Sequence, residues 1–381
     1  MKITALRTFL VPPRWLFLKI ETDEAISGWG EPIVEGRAAT VAAAVDELSD
    51  YLIGADPLRI EDHWQALTKG GFYRGGPVLS SAVAGIDQAL WDIAGRARGL
   101  PVHALLGGPV RDRIRVYAWI HGDEPAALAG QARARAAAGY SAVKMTPTEA
   151  FGTIETPRAA ELLLERVAAV REVLGPDRDL ALDFHGRVSP AMARRLLPRL
   201  EPFSPLFVEE PVVPELGAQH LPGLVRCSPV PIATGERLYS RWDFRPVLEA
   251  GVAVVQPDLS HAGGISEVRR IAAMAEVYGA ALAPHCPLGP IALAASLQVG
   301  FTTPNLLIQE QSLDLADPGS EHLDYLTDRT VFGFQGGYVG RPDRPGLGID
   351  IDEDAVTRAA QDGHRWRSPV WRHPDGGHAE W

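Results

Sequence analysis

The chain has 381 residues, too many for a small disulfide-stapled scaffold and enough for two domains or for one barrel with an added layer. Its composition is that of a folded enzyme, 46% hydrophobic and 22% charged, with no low-complexity tract. The formal net charge of −11 argues against nucleic acid or an anionic membrane surface as partner and leaves a small molecule, which needs a local cation if it is itself an anion. Two cysteines, Cys227 and Cys286, in a chain this long fit a reducing, cytoplasmic setting. The N-terminal apolar stretch is too short for a signal peptide and is broken by Pro12 and Pro13.

Residues 1 to about 115 read as α+β, with a strand pattern in LFLKIET and GWGEP and helices near 39–53 and 79–98. From about residue 116 short β-rich runs alternate with helical patterns. Strands are predicted at 116–122, 141–145, 180–185, 206–211, 231–236, 253–258, 281–286 and 306–311. Between them lie helices such as PRAAELLLERVAAVREVL, where Leu163, Val167, Val170 and Leu174 recur at helical spacing and Gly175 ends the element. Eight strands with intervening helices predict a closed (β/α) barrel over an open doubly wound sheet, and no GxGxxG follows the first strand. The longest run without a formal charge, Tyr278 to Gln309, contains Pro284, Pro287, Pro290 and Pro304, which excludes a bilayer helix. After about 335 the chain has loops, a short helix near 353–362 and a Trp/His-rich tail, too little to fold alone, so it is predicted to pack back on the N-terminal part. The division is thus 1–115, 116–335 and 336–381.

Nearly every predicted barrel strand ends in a titratable residue within an apolar run: Lys144, Asp183 with His185, Glu209, Glu236, Asp258, His285 and Glu310. Barrel enzymes build their sites at the C-terminal ends of strands, so these groups converge on one cavity. One strand-end carboxylate alone is more often a salt-bridge partner. Asp183, Glu209 and Glu236 come from successive strands and would repel one another unless a cation neutralises them, and an all-oxygen set favours Mg²⁺. Glu210 is expected to face the other side of its strand as an outward, salt-bridged residue.

Asp183 and His185 lie two apart on one strand and face the same way. His285, ending the seventh strand beside Asp258 of the sixth, has the arrangement of a carboxylate-oriented general base. The third and seventh strands are opposed in an eight-strand barrel, so His185 and His285 flank a substrate from two sides. That suits removal of a proton next to a metal-bound carboxylate and delivery of a proton to a departing group. Glu310, if protonated, or Lys144, as a cation, can meet the charge that develops on the carboxylate oxygens, and either can instead be structural. His261 reads as a loop histidine, and Cys286 lacks a base partner and is not read as a nucleophile.

The segments PPRWLFLKIETDE, GWGEP, DYLIG, GFYRGGP, GIDQALWDI, LDFHGRVS, EEPV, GER, QPDLSHAGGI, APHCPLGPIALAA, QEQS and WRHPD…AEW run end to end in an order that resembles the mandelate racemase subgroup of the enolase superfamily. The resemblance implies an N-terminal α+β capping domain, completed by the C-terminal segment, over a (β/α)₇β TIM-like barrel. It also implies a homo-oligomer and Mg²⁺ held by Asp183, Glu209 and Glu236. His285 is implied as general base with Asp258, His185 as general acid, and Glu310 as the group that steadies an enediolate. The implied reaction is loss of water from a sugar acid, D-galactonate giving 2-dehydro-3-deoxy-D-galactonate. Dehydration of another aldonate or aldarate, epimerisation at C2, and a sugar-acid binder without catalysis are the alternatives. Lys144-Met145-Thr146-Pro147 departs from the Lys-x-Asn-Gly of the dehydratases it resembles, and PTEAFGTIETP departs as well, which bears on the choice among epimers. Thr146 lacks the second base of the subgroup's racemases, which weighs against epimerisation. Arg14-Trp15 and Phe72-Tyr73-Arg74-Gly75-Gly76 are expected to close over the mouth, with Arg14, Tyr73 and Arg74 joining Lys144 and Thr146 as substrate contacts.

Overall fold

A computed structural model describes residues 1–148, 151–313 and 322–380. Glu149 and Ala150 of the divergent PTEAFGTIETP loop and the final Trp381 lie outside the described residues. The chain opens with an antiparallel sheet of β1 (Ile3–Val11), β2 (Trp15–Thr22) and β3 (Ser27–Gly30), followed by α1 (Ala38–Leu52), α2 (Ile60–Lys69), α3 (Pro77–Arg98) and the short α4 (Val102–Leu105). β1, α2 and α4 extend the sequence reading, which singled out two strands and two helices here.

After β4 (Arg113–Arg115) come the βα units: β5 (Ala118–Ile120), α5 (Pro125–Ala137), β6 (Ala142–Met145), α6 (Pro157–Leu174), β7 (Asp179–Asp183), α7 (Pro190–Leu196), β8 (Phe207–Glu209) and α8 (Pro214–Cys227). β9 (Ile232–Thr234), α9 (Arg241–Glu249), β10 (Val254–Val255), α10 (Gly264–Val277), β11 (Ala281–Leu282) and α11 (Pro290–Thr302) complete the series, and β5 to β11 pair in sequence order as one parallel sheet. α6 spans the predicted stretch, with the Thr156 hydroxyl accepting from the Ala159 amide at its start. α11 fills the uncharged run as a helix buried by protein on every side, and no helix among the described residues is long and apolar enough to cross a membrane.

The predicted eighth strand, 306–311, is corrected to a bridging segment. The Leu307 amide donates to the Leu282 carbonyl at 2.8 Å and the Gln309 amide to the Arg115 carbonyl at 2.9 Å, joining the last strand to the first. Gln309 interrupts a regular ladder there, since its side-chain amide donates to the Pro284 carbonyl at 3.2 Å and to the Glu310 carbonyl at 2.8 Å.

One residue from each stave fills the barrel: Tyr117, Ala142, Ala181, Phe207, Ala233, Val254, Ala283 and Ile308 form a single buried cluster in which two aromatics interleave with four alanines. Because strand side chains alternate, the next inward positions are two residues on. They are Trp119, Lys144, Asp183, Glu209, Gly235, Gln256, His285 and Glu310. An apolar plug therefore lies directly beneath a polar layer.

The cap docks on the barrel through α3. Asp87 Oδ2 accepts from the Ser266 amide (2.9 Å) at the start of α10, Trp91 Nε1 donates to Ser266 Oγ (2.9 Å), and Gln88 Nε2 donates to the Leu259 carbonyl (2.9 Å). Glu31, which follows β3, accepts from the Gly289 and Ala292 amides (2.8 and 2.9 Å) at the start of α11. GIDQALWDI and GWGEP are thus docking motifs. The glycines of GWG are needed because a Cβ on Gly28 or Gly30 would fall 2.2 and 1.9 Å from the carbonyls of Ala89 and Gly85. The chain beyond 335 adds β12 (Tyr338–Gly340) to β4 and α12 (Glu353–Gln361) to the cap, where Lys19 Nζ meets Glu353 at 2.7 Å.

Candidate active site

The polar layer opens into a cavity of about 1090 Å³ whose wall includes Asp183, His185, Glu236, His285, Glu310 and Thr146. One ligand oxygen from each of Asp183, Glu209 and Glu236 lies within 4.8 Å of the others. Lys144 is sealed beneath them. Its ammonium sits 2.6 Å from Glu209, 3.1 Å from Asp183 and 3.4 Å from Glu310, under the faces of Trp119 and Tyr117. Burial would discharge this amine, but the surrounding carboxylates outweigh burial and hold it charged. Lys144 is fully buried and paired with protein carboxylates, the structural alternative that the sequence left open for it.

One ammonium does not satisfy the set. Burial, and then Asp183, push the Glu209 carboxyl upward, and burial lifts Glu236 to about 7 against the pull of His285. Asp183 Oδ2 and Glu209 Oε2 lie buried without a hydrogen bond. Three carboxylates on neighbouring staves that share a single ammonium, at 3.1 Å from Asp183 Oδ2 and 2.6 Å from Glu209 Oε2, form a donor set for a hard divalent cation.

His285 Nδ1 bonds Asp258 Oδ2 at 2.8 Å, and its Nε2 lies 3.5 Å from Glu236 Oε2. Burial opposes the imidazolium, but Glu310, Glu236 and Asp258 together raise His285 well above its ordinary value. Asp258, which burial alone would raise, is held below the usual carboxylate range by His261 and His285. Four staves away, His185 Nε2 lies 3.4 Å from Asp183 Oδ2, its Nδ1 pairs with Thr146 Oγ1 at 3.2 Å, and its ring stacks on Trp119. Burial pulls His185 down, against Asp183.

Strand alternation does not aim His185, as the sequence suggested. β7 ends at Asp183, and His185 has φ +50° in the turn beyond, where its amide donates to Asp183 Oδ1 at 2.9 Å. Glu210 is salt-bridged as expected, to Arg237 Nη2 at 2.7 Å, but is corrected from exposed to fully buried; it has φ +43° and also meets the Gly235 amide at 3.1 Å and the Thr234 hydroxyl. Glu310 accepts from Trp119 Nε1 (2.8 Å) and the Cys286 amide (3.0 Å). Burial would raise it, but Lys144 and His285 hold it low, so the group is a carboxylate here rather than a neutral donor.

The cap supplies less than expected. Arg14 lines the cavity but is engaged by Glu35 (2.8 Å), the Pro287 carbonyl (3.2 Å) and the Trp366 ring. Trp15 is core, 2% exposed. Tyr73 is 88% exposed and Arg74 bonds only the Gly71 carbonyl, so neither is brought to the cavity. That loop runs through Gly75 and Gly76 at φ +73° and +79°, with no packing partner near either. Sequence reasoning passed over His261, Arg187 and Trp371. His261 is in a loop, as predicted, yet it lines the cavity, bonding Ser81 of α3 at 3.1 Å and lying 3.9 Å from Asp258. Arg187, two residues past His185, was within reach of the same spacing argument, whereas no local signal places Trp371.

A buried acid set fit for a cation, flanked by two histidines at the mouth of a capped barrel, defines an acid–base enzyme of the barrel-and-cap class. The mandelate racemase/muconate lactonizing enzyme N-terminal domain model matches residues 5–107, and the enolase C-terminal domain-like model matches residues 127–355. The D-galactonate dehydratases of Ralstonia pickettii and Variovorax paradoxus are 55% and 53% identical over 383 aligned residues, covering 100% of each chain. Among solved structures, an enolase from Agrobacterium radiobacter with bound Na and L-malate superposes with TM-score 0.90 at 33% identity, covering 100% of both chains. A mandelate racemase/muconate lactonizing enzyme from Jannaschia superposes with TM-score 0.87 at 34% identity, covering 97% of this chain and 99% of that one. The chain belongs to the mandelate racemase/muconate lactonizing enzyme family of the enolase superfamily.

Proposed function

We propose that this chain is a Mg²⁺-dependent D-galactonate dehydratase, in which the barrel (116–335) carries the chemistry and the cap with the C-terminal segment (1–115 and 336–381) shapes the mouth. One observation carries the reading: the Asp258-paired His285 and the Thr146-paired His185 stand on two sides of the same acid triad. Relatives at 52–55% identity over the full chain support the substrate.

A divalent cation held by Asp183, Glu209 and Glu236 would offset the second negative charge that a substrate carboxylate acquires when C2 loses its proton. With a cation offsetting the Glu236 charge that helps hold a proton on His285, this residue would be neutral and accept the C2 proton on Nε2, while Asp258 fixes the ring through Nδ1 and stabilises the imidazolium. The electron pair left at C2 expels the C3 hydroxyl, to which His185 gives a proton so that it departs as water. Trp119 and the Thr146 hydroxyl orient the His185 ring. The resulting enol takes a proton at C3 and loses the one on its C2 oxygen, becoming 2-dehydro-3-deoxy-D-galactonate. Lys144 holds Glu209 and Glu310 in place from below.

The test is an end-point assay on a panel of aldonates and aldarates, with Mg²⁺ and then with EDTA, detecting 2-keto-3-deoxy acids. Mg²⁺-dependent product from D-galactonate is expected. Product from another epimer alone means that Thr146 and the loop after it have re-aimed the pocket; the barrel chemistry would then stand without that substrate.

A further inference from the structure

The wall of the cavity beyond His185 is built from a barrel loop and the C-terminal tail. Arg187 leaves the barrel just after β7, is 8% exposed, and lays its guanidinium against the Trp371 ring, with Cζ 4.1 Å from the centroid. Its Nη1 donates to the Thr148 carbonyl at 3.0 Å, and its Nε is buried with no hydrogen-bond partner. Most of its five N–H donors are therefore unmatched by acceptors among the described residues. Arg14, Lys144 and Arg237 are ion-paired, but the described residues offer Arg187 no ion-pair partner.

Trp371 is held in place by the tail itself. The Ala379 amide donates to the Trp371 carbonyl at 3.1 Å, the His373 amide to the Gly377 carbonyl at 2.9 Å, and Arg372 bridges His378, which closes a tight hairpin. Upstream, His364 bonds the Pro13 carbonyl and Trp366 lies against Arg14, strapping the tail to the cap. The hairpin also brings Glu380 to the cavity wall, while Ser368 contributes from the strap.

We propose that Arg187, seated on Trp371, is a specificity-determining residue that reads the hydroxyl groups at the end of the acyclic sugar acid remote from its carboxylate, with Glu380 as acceptor on the same wall. This rests on the dehydratase reading above, which puts the carboxylate end at the acid triad and leaves the far carbons for this wall. An arginine stacked on an aromatic face presents its donors in a fixed plane, which suits recognition of vicinal hydroxyls.

The experiment compares D-galactonate with a four-carbon aldonate of the same C2 and C3 configuration, which lacks the remote hydroxyls. For Arg187→Lys, KM for D-galactonate rises about tenfold or more with kcat within threefold, and the four-carbon acid is unaffected. Trp371→Leu moves KM the same way, Trp371→Phe restores most of it, and circular dichroism checks that each variant folds. The same preference is read without turnover by calorimetric binding of both acids to His285→Asn with and without Arg187→Lys. Equal losses on both acids, or a fall in kcat alone, overturn the proposal, as does a six-over-four-carbon preference that survives Arg187→Lys. If wild type dehydrates some other six-carbon aldonate, the galactonate reading fails by itself, and the comparison is made on that acid with the same outcomes.

Discussion

The molecule buries carboxylates in two regions, and it treats them oppositely. Where the cap docks on the barrel, Glu31 and Asp87 each meet backbone amides at the start of a barrel helix: Gly289 and Ala292 for the first, Ser266 for the second. At the barrel mouth, Asp183, Glu209 and Glu236 meet each other, one lysine and the two histidines, with no backbone amide on Asp183 Oδ2 or Glu209 Oε2. Partners built into the fold make the first set a fastener, because helix N-termini are permanent donors. Like charges without enough partners make the second set a site, stable only with a cation the fold does not itself provide.

Removing a carboxylate from each region should therefore give opposite signatures. Glu236→Gln is expected to abolish Mg²⁺-dependent turnover, by about a thousandfold or more, while raising the melting temperature of metal-free protein because repulsion is relieved. Activity and thermal unfolding in EDTA check both halves, and a variant that unfolds earlier than wild type would break the contrast. His285→Asn separates chemistry from the cation: turnover falls about 10³-fold, but Mg²⁺ binding by calorimetry stays within a few-fold of wild type.

Asp87→Asn should do the reverse, costing about 1–3 kcal/mol of stability while leaving kcat of the folded enzyme nearly unchanged. Burial lifts Asp87 to about 7 and Glu31 to about 8, so the folded chain keeps protons that the unfolded chain sheds. That contribution to stability is complete below the ordinary carboxylate values and is lost as pH rises through about 7 and about 8. The gap in unfolding free energy between wild type and Asp87→Asn should accordingly shrink from pH 5 to pH 8. A gap that widens with pH would show that the helix N-terminus, not burial, governs the proton. The smallest effect is predicted for Thr146→Ala, which frees one ring nitrogen of His185: kcat falls about tenfold or less, while exchange of the C2 proton with deuterated solvent persists.

Much of the site was legible because a barrel strand has a period of two and the chain repeats it. Lys144, Asp183, Glu209, His285 and Glu310 each stand two residues past a plug residue, so a strand-end list and a cavity list nearly coincide. The exceptions are backbone turns. His185 and Glu210 adopt positive φ in short loops after their strands, which sends one into the cavity and buries the other against Thr234 and Arg237. The eighth stave escaped as a regular strand because a side-chain amide, Gln309, occupies its backbone acceptors. Tyr73 and Arg74 had the residue types of substrate contacts but no packing to bring them in.

The sequence by itself determined the βα alternation, the barrel and the polar residues at the strand ends, because each depends on local periodicity and on spacing of about one βα unit. Only the tertiary structure decided that Lys144 lies sealed among the acids, that a backbone turn brings His185 to the cavity, that α3 is a docking helix, and that Trp371 is seated on Arg187, 184 residues away in the chain. Those outcomes depend on which groups distant in sequence find each other once water is excluded. Local pattern carries no information about that, because burial and charge pairing are settled by packing.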